Sequence, residues 1–299
     1  MIFASALLLA SLHGPVLDLA GSSAEPAGLQ AMVNEVRGCS DCNTKVDVVI
    51  LRASGDNSLN DTFKALNGVA TATTFIIKSR EEAERRAVLR ALRRAEIVWF
   101  AGGDQCNYIR WIKGTKAAKE VESVFTRGGG VGGNSAGLAI QGDVVYDSCP
   151  DVSAKSQDVL MDPFSRDASL SSDFFHWPAL QNTITDTHFH ERDRFGRTLV
   201  FLARTYATRH SRIDAIGVDE QTSVVVDRNG KGRVFGRGAA YLIADEDGAE
   251  VLKAATPLTD RGFKVWKFDS GSTIDFVHRP AEGFRTIDVV DGKLSADPY

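Results

Sequence analysis

Short apolar runs and longer mixed segments alternate along most of this chain. Val46–Arg52 (VDVVILR) is nearly continuous and β-branched, as in a strand covered on both faces. Val16–Leu19, Phe75–Ile77 and Glu96–Ala101 (EIVWFA) predict three more strands. Ser79–Arg94 opens with a serine suited to cap a helix and spreads Ala83, Ala87, Leu89 and Leu92 among charges, which predicts an amphipathic surface helix. Thr115–Phe125 predicts another helix, Gly130–Gly133 a short strand, Asn182–Thr187 a strand and Glu191–Arg204 the helix after it. From about Ile213 the rhythm changes to short strands joined by turns. Gln221–Asp227 and Arg233–Gly236 flank Asn229-Gly230, a hairpin signal, and three or four further strands reach to about Val290. The pattern predicts the α/β class, with a mostly parallel sheet sandwiched by helices and C-terminal antiparallel strands.

No repeat or linker interrupts the pattern, so residues 14–299 are expected to form a single domain. Residues 1–13 are expected to be a signal peptide or an apolar N-terminal segment. MIFASALLLASL is too short to span a bilayer and resembles a signal peptide's apolar region, although no Lys or Arg precedes it. The expected location is secreted or periplasmic, with the cytoplasm as the alternative.

Composition narrows the function. A chain of 299 residues with a formal charge of −4 has no global attraction for nucleic acid or an anionic membrane, and neither is expected as a partner. Cys39-Ser-Asp-Cys42 has the spacing of half a zinc site, but no second pair supplies the remaining ligands. No metal is expected; those two cysteines are a local disulfide or plain thiols.

Candidate chemistry concentrates in Thr126–Asp143, TRGGGVGGNSAGLAIQGD. Gly128-x-Gly130-x-x-Gly133 matches a dinucleotide fingerprint, and Gly133-Asn134-Ser135-Ala136-Gly137 matches the G-x-S-x-G nucleophile elbow. The fingerprint must follow a strand and open a helix, whereas these glycines follow a helix, so no cofactor is expected. The elbow needs a short strand, a turn and then a helix, which Gly130–Gly133, Asn134-Ser135-Ala136 and Ala136–Gln141 supply. A serine hydroxyl needs a base, an acid to orient the base, and oxyanion donors. Among six histidines His188 stands where a strand meets a helix; His190, two residues on, is its rival.

FAGGDQ (Phe100–Gln105), GGNSAG (Gly132–Gly137) and DTHFHERDRFGR (Asp186–Arg197), in this order, resemble cyanophycinase and its serine-exopeptidase relatives, including the aspartyl dipeptidases. The resemblance implies a class I glutamine amidotransferase-like, flavodoxin-like fold with Ser135 as nucleophile and His188 as base. It implies Gly103 and Ala136 as oxyanion donors, and Gln105, Asp186, Arg192, Arg194 and Arg197 as the group that binds the acidic end of a peptide. On a helix Arg194 and Arg197 would share a face, and an arginine fork suits a carboxylate. SQDVL (Ser156–Leu160) matches a stretch that carries the triad acid in relatives, which makes Asp158 the expected third member, ahead of Asp151 and Asp147. Asn134 replaces the more usual Thr, a change expected to matter little, and Thr187 stands where cyanophycinase carries Gln. A homodimer is compatible with the resemblance. Two rival readings remain: a non-catalytic binding protein on the same fold, and an α/β-hydrolase-type esterase, for which only His278 lies late enough in the chain.

Overall fold

The computed structural model describes residues 12–149 and 152–299. Most of the apolar leader, residues 1–11, and the alternative acid Asp151 lie outside the described residues.

The strands in chain order are β1 (Val16–Ala20), β2 (Val46–Arg52), β3 (Val69–Ile76), β4 (Ile97–Phe100), β5 (Gly130–Asn134), β6 (Val144–Tyr146), β7 (Leu170–Ser172) and β8 (Thr183–Thr187). There follow β9 (Asp214–Val218), β10 (Thr222–Val226), β11 (Lys231–Gly236), β12 (Ala239–Ala244), β13 (Asp260–Asp269), β14 (Thr273–Asp275), β15 (Arg285–Val290) and β16 (Lys293–Leu294). The helices are α1 (Pro26–Arg37), α2 (Leu59–Lys64), α3 (Arg80–Ala83), α4 (Arg86–Arg94), α5 (Gln105–Trp111), α6 (Lys116–Thr126), α7 (Ala136–Ala139), α8 (Ser156–Met161) and α9 (Phe195–Arg209).

The α/β class holds, but the strands divide between two sheets where one was expected. The first has the order β14-β11-β10-β1-β5-β4-β2-β3, parallel from β1 to β3 and antiparallel beyond β1. The second runs β16-β15-β13-β12-β9-β8-β6-β7, with only β6, β8 and β9 parallel. The parallel run stops at β1 because its far side is occupied. β10 takes the open side of β1, so β8 and β9 cannot extend the parallel run past β1 and pair with each other instead.

Strand alternation distributes the core. Adjacent residues on one strand go to different sides: Ala215 and Ile216, Val144 and Val145, Val265 and Trp266. One side of the second sheet packs on α9 through Leu199, Val200 and Phe201; the other meets Leu19, Val98, Phe100 and Val224 of the first sheet. The outer face of the first sheet is covered by Leu29, Met32 and Val33 of α1.

Local differences from the pattern have local causes. Ser79 caps α3 by accepting from the Glu82 amide, as expected, but the helix breaks at Glu84-Arg85 before α4 begins. The expected strand Phe75–Ile77 is the end of a longer one, Val69–Ile76, whose exposed Thr and Ala residues hid it; Ile77 lies just past it. The helix expected from Glu191 starts at Phe195. Cys39–Cys42 and Cys106–Cys149 are disulfides; the second was not anticipated, because its partners lie 43 positions apart. Among the described residues no helix is long and apolar enough to cross a membrane, and no group of His, Cys, Asp and Glu is arranged to hold a metal.

Candidate active site

β5 ends at Asn134 and α7 begins at Ala136, so Ser135 alone makes the turn. Its backbone sits at φ 52°, ψ −116°, a conformation that L-residues avoid and that the surrounding packing must impose. The two glycines of the motif make the turn fit. A Cβ on Gly137 would lie 1.9 Å from the Phe100 carbonyl oxygen, and one on Gly133 would lie 2.5 Å from the Gly137 carbonyl carbon. G-x-S-x-G is therefore a steric requirement of this bend. The fingerprint glycines, by contrast, are spread over a turn and a strand and open no helix.

His188 lies one residue past β8, and Glu220 two residues past β9. These strands are parallel neighbours with Thr187 level with Val218, so their ends fall at one height. The first sheet is joined to them by the His188 amide, which donates to the Gly21 carbonyl (3.1 Å) just beyond β1, the neighbour of β5. The three side chains meet there. Ser135 Oγ lies 2.8 Å from His188 Nε2, and His188 Nδ1 lies 2.5 Å from Glu220 Oε1.

Asp158, the expected acid, is elsewhere. It is exposed on α8, which packs with α9, and the group that bonds His188 Nδ1 is the Glu220 carboxylate. Asp147 is also committed, accepting from the Cys149 amide and the Ser169 and Ser171 hydroxyls. The expected acids lie between Ser135 and His188 in the chain, whereas the carboxylate that bonds His188 follows both. The signal was present: Asp214–Val218 is an apolar run ending in Asp219-Glu220, at the same strand edge that singled out His188.

Burial lowers the His188 pKa below the usual histidine range, the hydrogen bond with Glu220 works upward, and the charges of Arg192 and Arg194 push down again. The imidazole is consequently neutral at pH 7, the form that can accept a proton from serine. Gly103 and Ala136 line the cleft beside Ser135, and neither amide has an acceptor among the described residues. Asn134 matters more than expected. Its Oδ1 accepts from the Gly102 amide (3.2 Å) and Trp99 Nε1 (3.0 Å), while Nδ2 donates to the Ser22 carbonyl (2.7 Å).

The cleft has a volume of about 340 Å³, with Tyr146, Ser148 and Ser153 facing Gln105, Thr187, Arg192 and Arg194. Because α9 starts late, the arginines are arranged differently from the expectation. Arg192 sits in the preceding turn, half exposed, with Nε 3.6 Å from Glu220 Oε1. Arg194 donates to the Thr187 carbonyl (2.9 Å) and hydroxyl (2.6 Å). Burial, with Arg197 nearby, presses its pKa down to about 10, which leaves it cationic at neutral pH. Arg197 does not share the cleft. It is buried against both oxygens of Asp186 and lies 4.6 Å over the Tyr146 ring. Burial alone would raise the Asp186 pKa, but the charges of Arg197 and Arg194 and the bonds from Arg197 lower it, so the pair is ionised and internally satisfied behind the cleft wall. Gln105 lines the cleft and reaches the Tyr146 carbonyl (3.4 Å). His190 is exposed and stacks on Tyr299, and His278 is exposed beside Asp275.

Over 239 residues the chain is 22% identical to the cyanophycinase of Synechococcus elongatus, an alignment covering 78% of this chain and 69% of that one. Over 169 residues it is 28% identical to the cyanophycinase of Trichormus variabilis, covering 56% and 51%. The chain is similar in sequence to these cyanophycinases. The crystal structure of a peptidase from an acI-B1 Actinobacterium shares the fold, with a TM-score of 0.60 at 14% identity over 89% of this chain and 98% of that one. No family model matches the chain. These similarities are distant, and the residues of the chain's own cleft must supply the argument about activity and substrate.

Proposed function

We propose that the protein is a serine exopeptidase that hydrolyses aspartyl or β-aspartyl peptide bonds, with Ser135 as nucleophile, His188 as base and Glu220 as the orienting acid. The observation that carries this reading is the continuous line from Ser135 Oγ through His188 to Glu220 at the mouth of a cleft that also presents two arginines. The Ser135 proton passes to His188 Nε2 as Oγ bonds to the peptide carbonyl carbon. The oxyanion faces the amides of Gly103 and Ala136. His188 returns the proton to the leaving nitrogen as the C–N bond breaks, and then draws a proton from the water that releases the acyl group. Arg192 and Arg194 offer charge to a substrate carboxylate, and their small cleft favours short peptides. The two disulfides support a location outside the cytoplasm.

The test is labelling by a fluorophosphonate together with hydrolysis of α-aspartyl dipeptides, β-aspartyl dipeptides and an Asp-Arg polymer. Wild type should label at Ser135 and cleave at least one acidic peptide, and Ser135→Ala should lose both, with turnover down about 10⁶-fold. A Ser135→Ala protein that still cleaves would remove the mechanism; a wild type that never labels would favour a binding protein.

A further inference from the structure

Tyr299 reaches back across the molecule to the turn that follows His188. Its hydroxyl accepts from the Phe195 amide (3.1 Å) and stands 3.2 Å from both the Phe189 carbonyl and Asp193 Oδ1, either of which can take its proton. The Phe195 amide is one of the donors that the start of α9 leaves unpaired, and Arg194 at the cap position provides no side-chain acceptor. Tyr299 supplies that cap from more than a hundred residues away. Its ring stacks on His190 with centroids 4.4 Å apart and meets Phe189, Phe195 and Tyr241 edge-on. Arg285 holds the segment in place by donating to the Asp297 carbonyl (2.9 Å).

We infer that Tyr299 is a positioning residue for the turn bearing Arg192 and Arg194, and so for recognition of an acidic substrate. The inference rests on the function proposed above. His188 itself has separate anchors: Ser135, Glu220 and the Gly21 carbonyl. The stretch from His190 to Arg194 is held by the turn's own bonds, Arg192 to His188, Asp193 to His190 and Arg194 to Phe189, and by the Arg194 bonds to Thr187. It is held also by the Asp219 and Glu191 carboxylates, which accept from the His190 and Glu220 amides, and by the Ser156 hydroxyl, which donates to the Asp193 carbonyl. Tyr299 alone among the described residues meets the Phe195 amide, the Phe189 carbonyl and the Asp193 carboxylate together. Losing the hydroxyl should therefore loosen the arginines more than the base.

Tyr299→Phe keeps the ring and removes only the hydroxyl. It should raise KM for an acidic peptide about five- to thirty-fold, the equivalent of one or two hydrogen bonds. It should leave kcat and fluorophosphonate labelling of Ser135 near wild type and speed amide hydrogen exchange at Phe195. An unchanged KM with unchanged exchange would overturn the inference, and so would labelling and peptide hydrolysis falling together with the folded fraction. If wild type neither labels nor cleaves, the functional reading fails, and exchange at Phe195 in the two proteins still decides whether Tyr299 holds the turn.

Discussion

Glu220 reaches His188 from beyond the end of a strand that follows both other members of the line, and Asp158 faces solvent on α8. Exchanging either carboxylate for its amide keeps shape and removes charge, so the pair of variants separates the two. Glu220→Gln should lower turnover about 10⁴-fold, the order seen when the acid of a serine triad is neutralised, with the fold intact. Asp158→Asn should stay within about twofold, as expected of an exposed change within ±0.5 kcal/mol. The pH profile carries a further sign. Glu220 works upward on the His188 pKa, so its loss should move the acidic limb of kcat/KM to lower pH while the plateau falls. A limb that stays put, or a larger loss in Asp158→Asn, would return the acid to α8. That Ser135, His188, Gly103, Ala136, Gln105, Arg192 and Arg194 would gather at one cleft was legible from the three motifs and the resemblance they carry, because each lies within a short stretch. Glu220 was not, because its position depends on which strands become neighbours, and periodicity marks a strand without naming its partner.

Element boundaries decided what the arginines do. DTHFHERDRFGR reads as strand then helix, and three-residue spacing on a helix suggested that Arg194 and Arg197 act together. The observed turn at 188–194 delays the helix to Phe195, which sends Arg197 inward to Asp186 and leaves Arg192 and Arg194 on the cleft. No capping residue marks that late start, since the cap comes from Tyr299. A disulfide sets the opposite wall. Cys106 follows Gln105 on α5 and Cys149 follows Ser148, both neighbours lining the cleft, so the Cys106–Cys149 bond ties one side of the opening to α5. Closing a loop of 43 residues restricts the unfolded chain far more than closing the short Cys39–Cys42 loop. Cys149→Ser should therefore cost about 2–4 kcal/mol in urea unfolding. Cys42→Ser should cost less. Equal losses, or none on Cys149→Ser, would show that the long cross-link does not restrain the fold.

At the scale of the whole molecule the site is a seam between two sheets, and β1 holds that seam. Ser135 N–H donates to Ala20, His188 N–H to Gly21 and Asn134 to Ser22, all at the end of this one strand. In the middle of β1, level with Gly132 and Val225, sits Asp18, fully buried, its carboxyl oxygens without a hydrogen-bond partner among the described residues. Burial raises its pKa to about 8, so the folded protein carries it neutral where the unfolded chain has already ionised it. For a raised folded pKa the contribution to stability is full below the unfolded pKa near 4, falls as pH rises, and is gone above about 8. The slope between those limits is at most about 1.4 kcal/mol per pH unit, one proton's worth. Asp18→Asn cannot titrate. The stability of wild type minus that of Asp18→Asn, from urea unfolding at pH 5, 6, 7 and 8, should decline steadily, and the variant should gain on wild type towards alkaline pH. The same substitution should hold the rim together at higher pH, so fluorophosphonate labelling of Ser135 should survive to a more alkaline pH in the variant than in wild type. Parallel stability curves would mean that Asp18 ionises in the folded protein as it does in the unfolded chain, and that β1 is not where alkali loosens the seam.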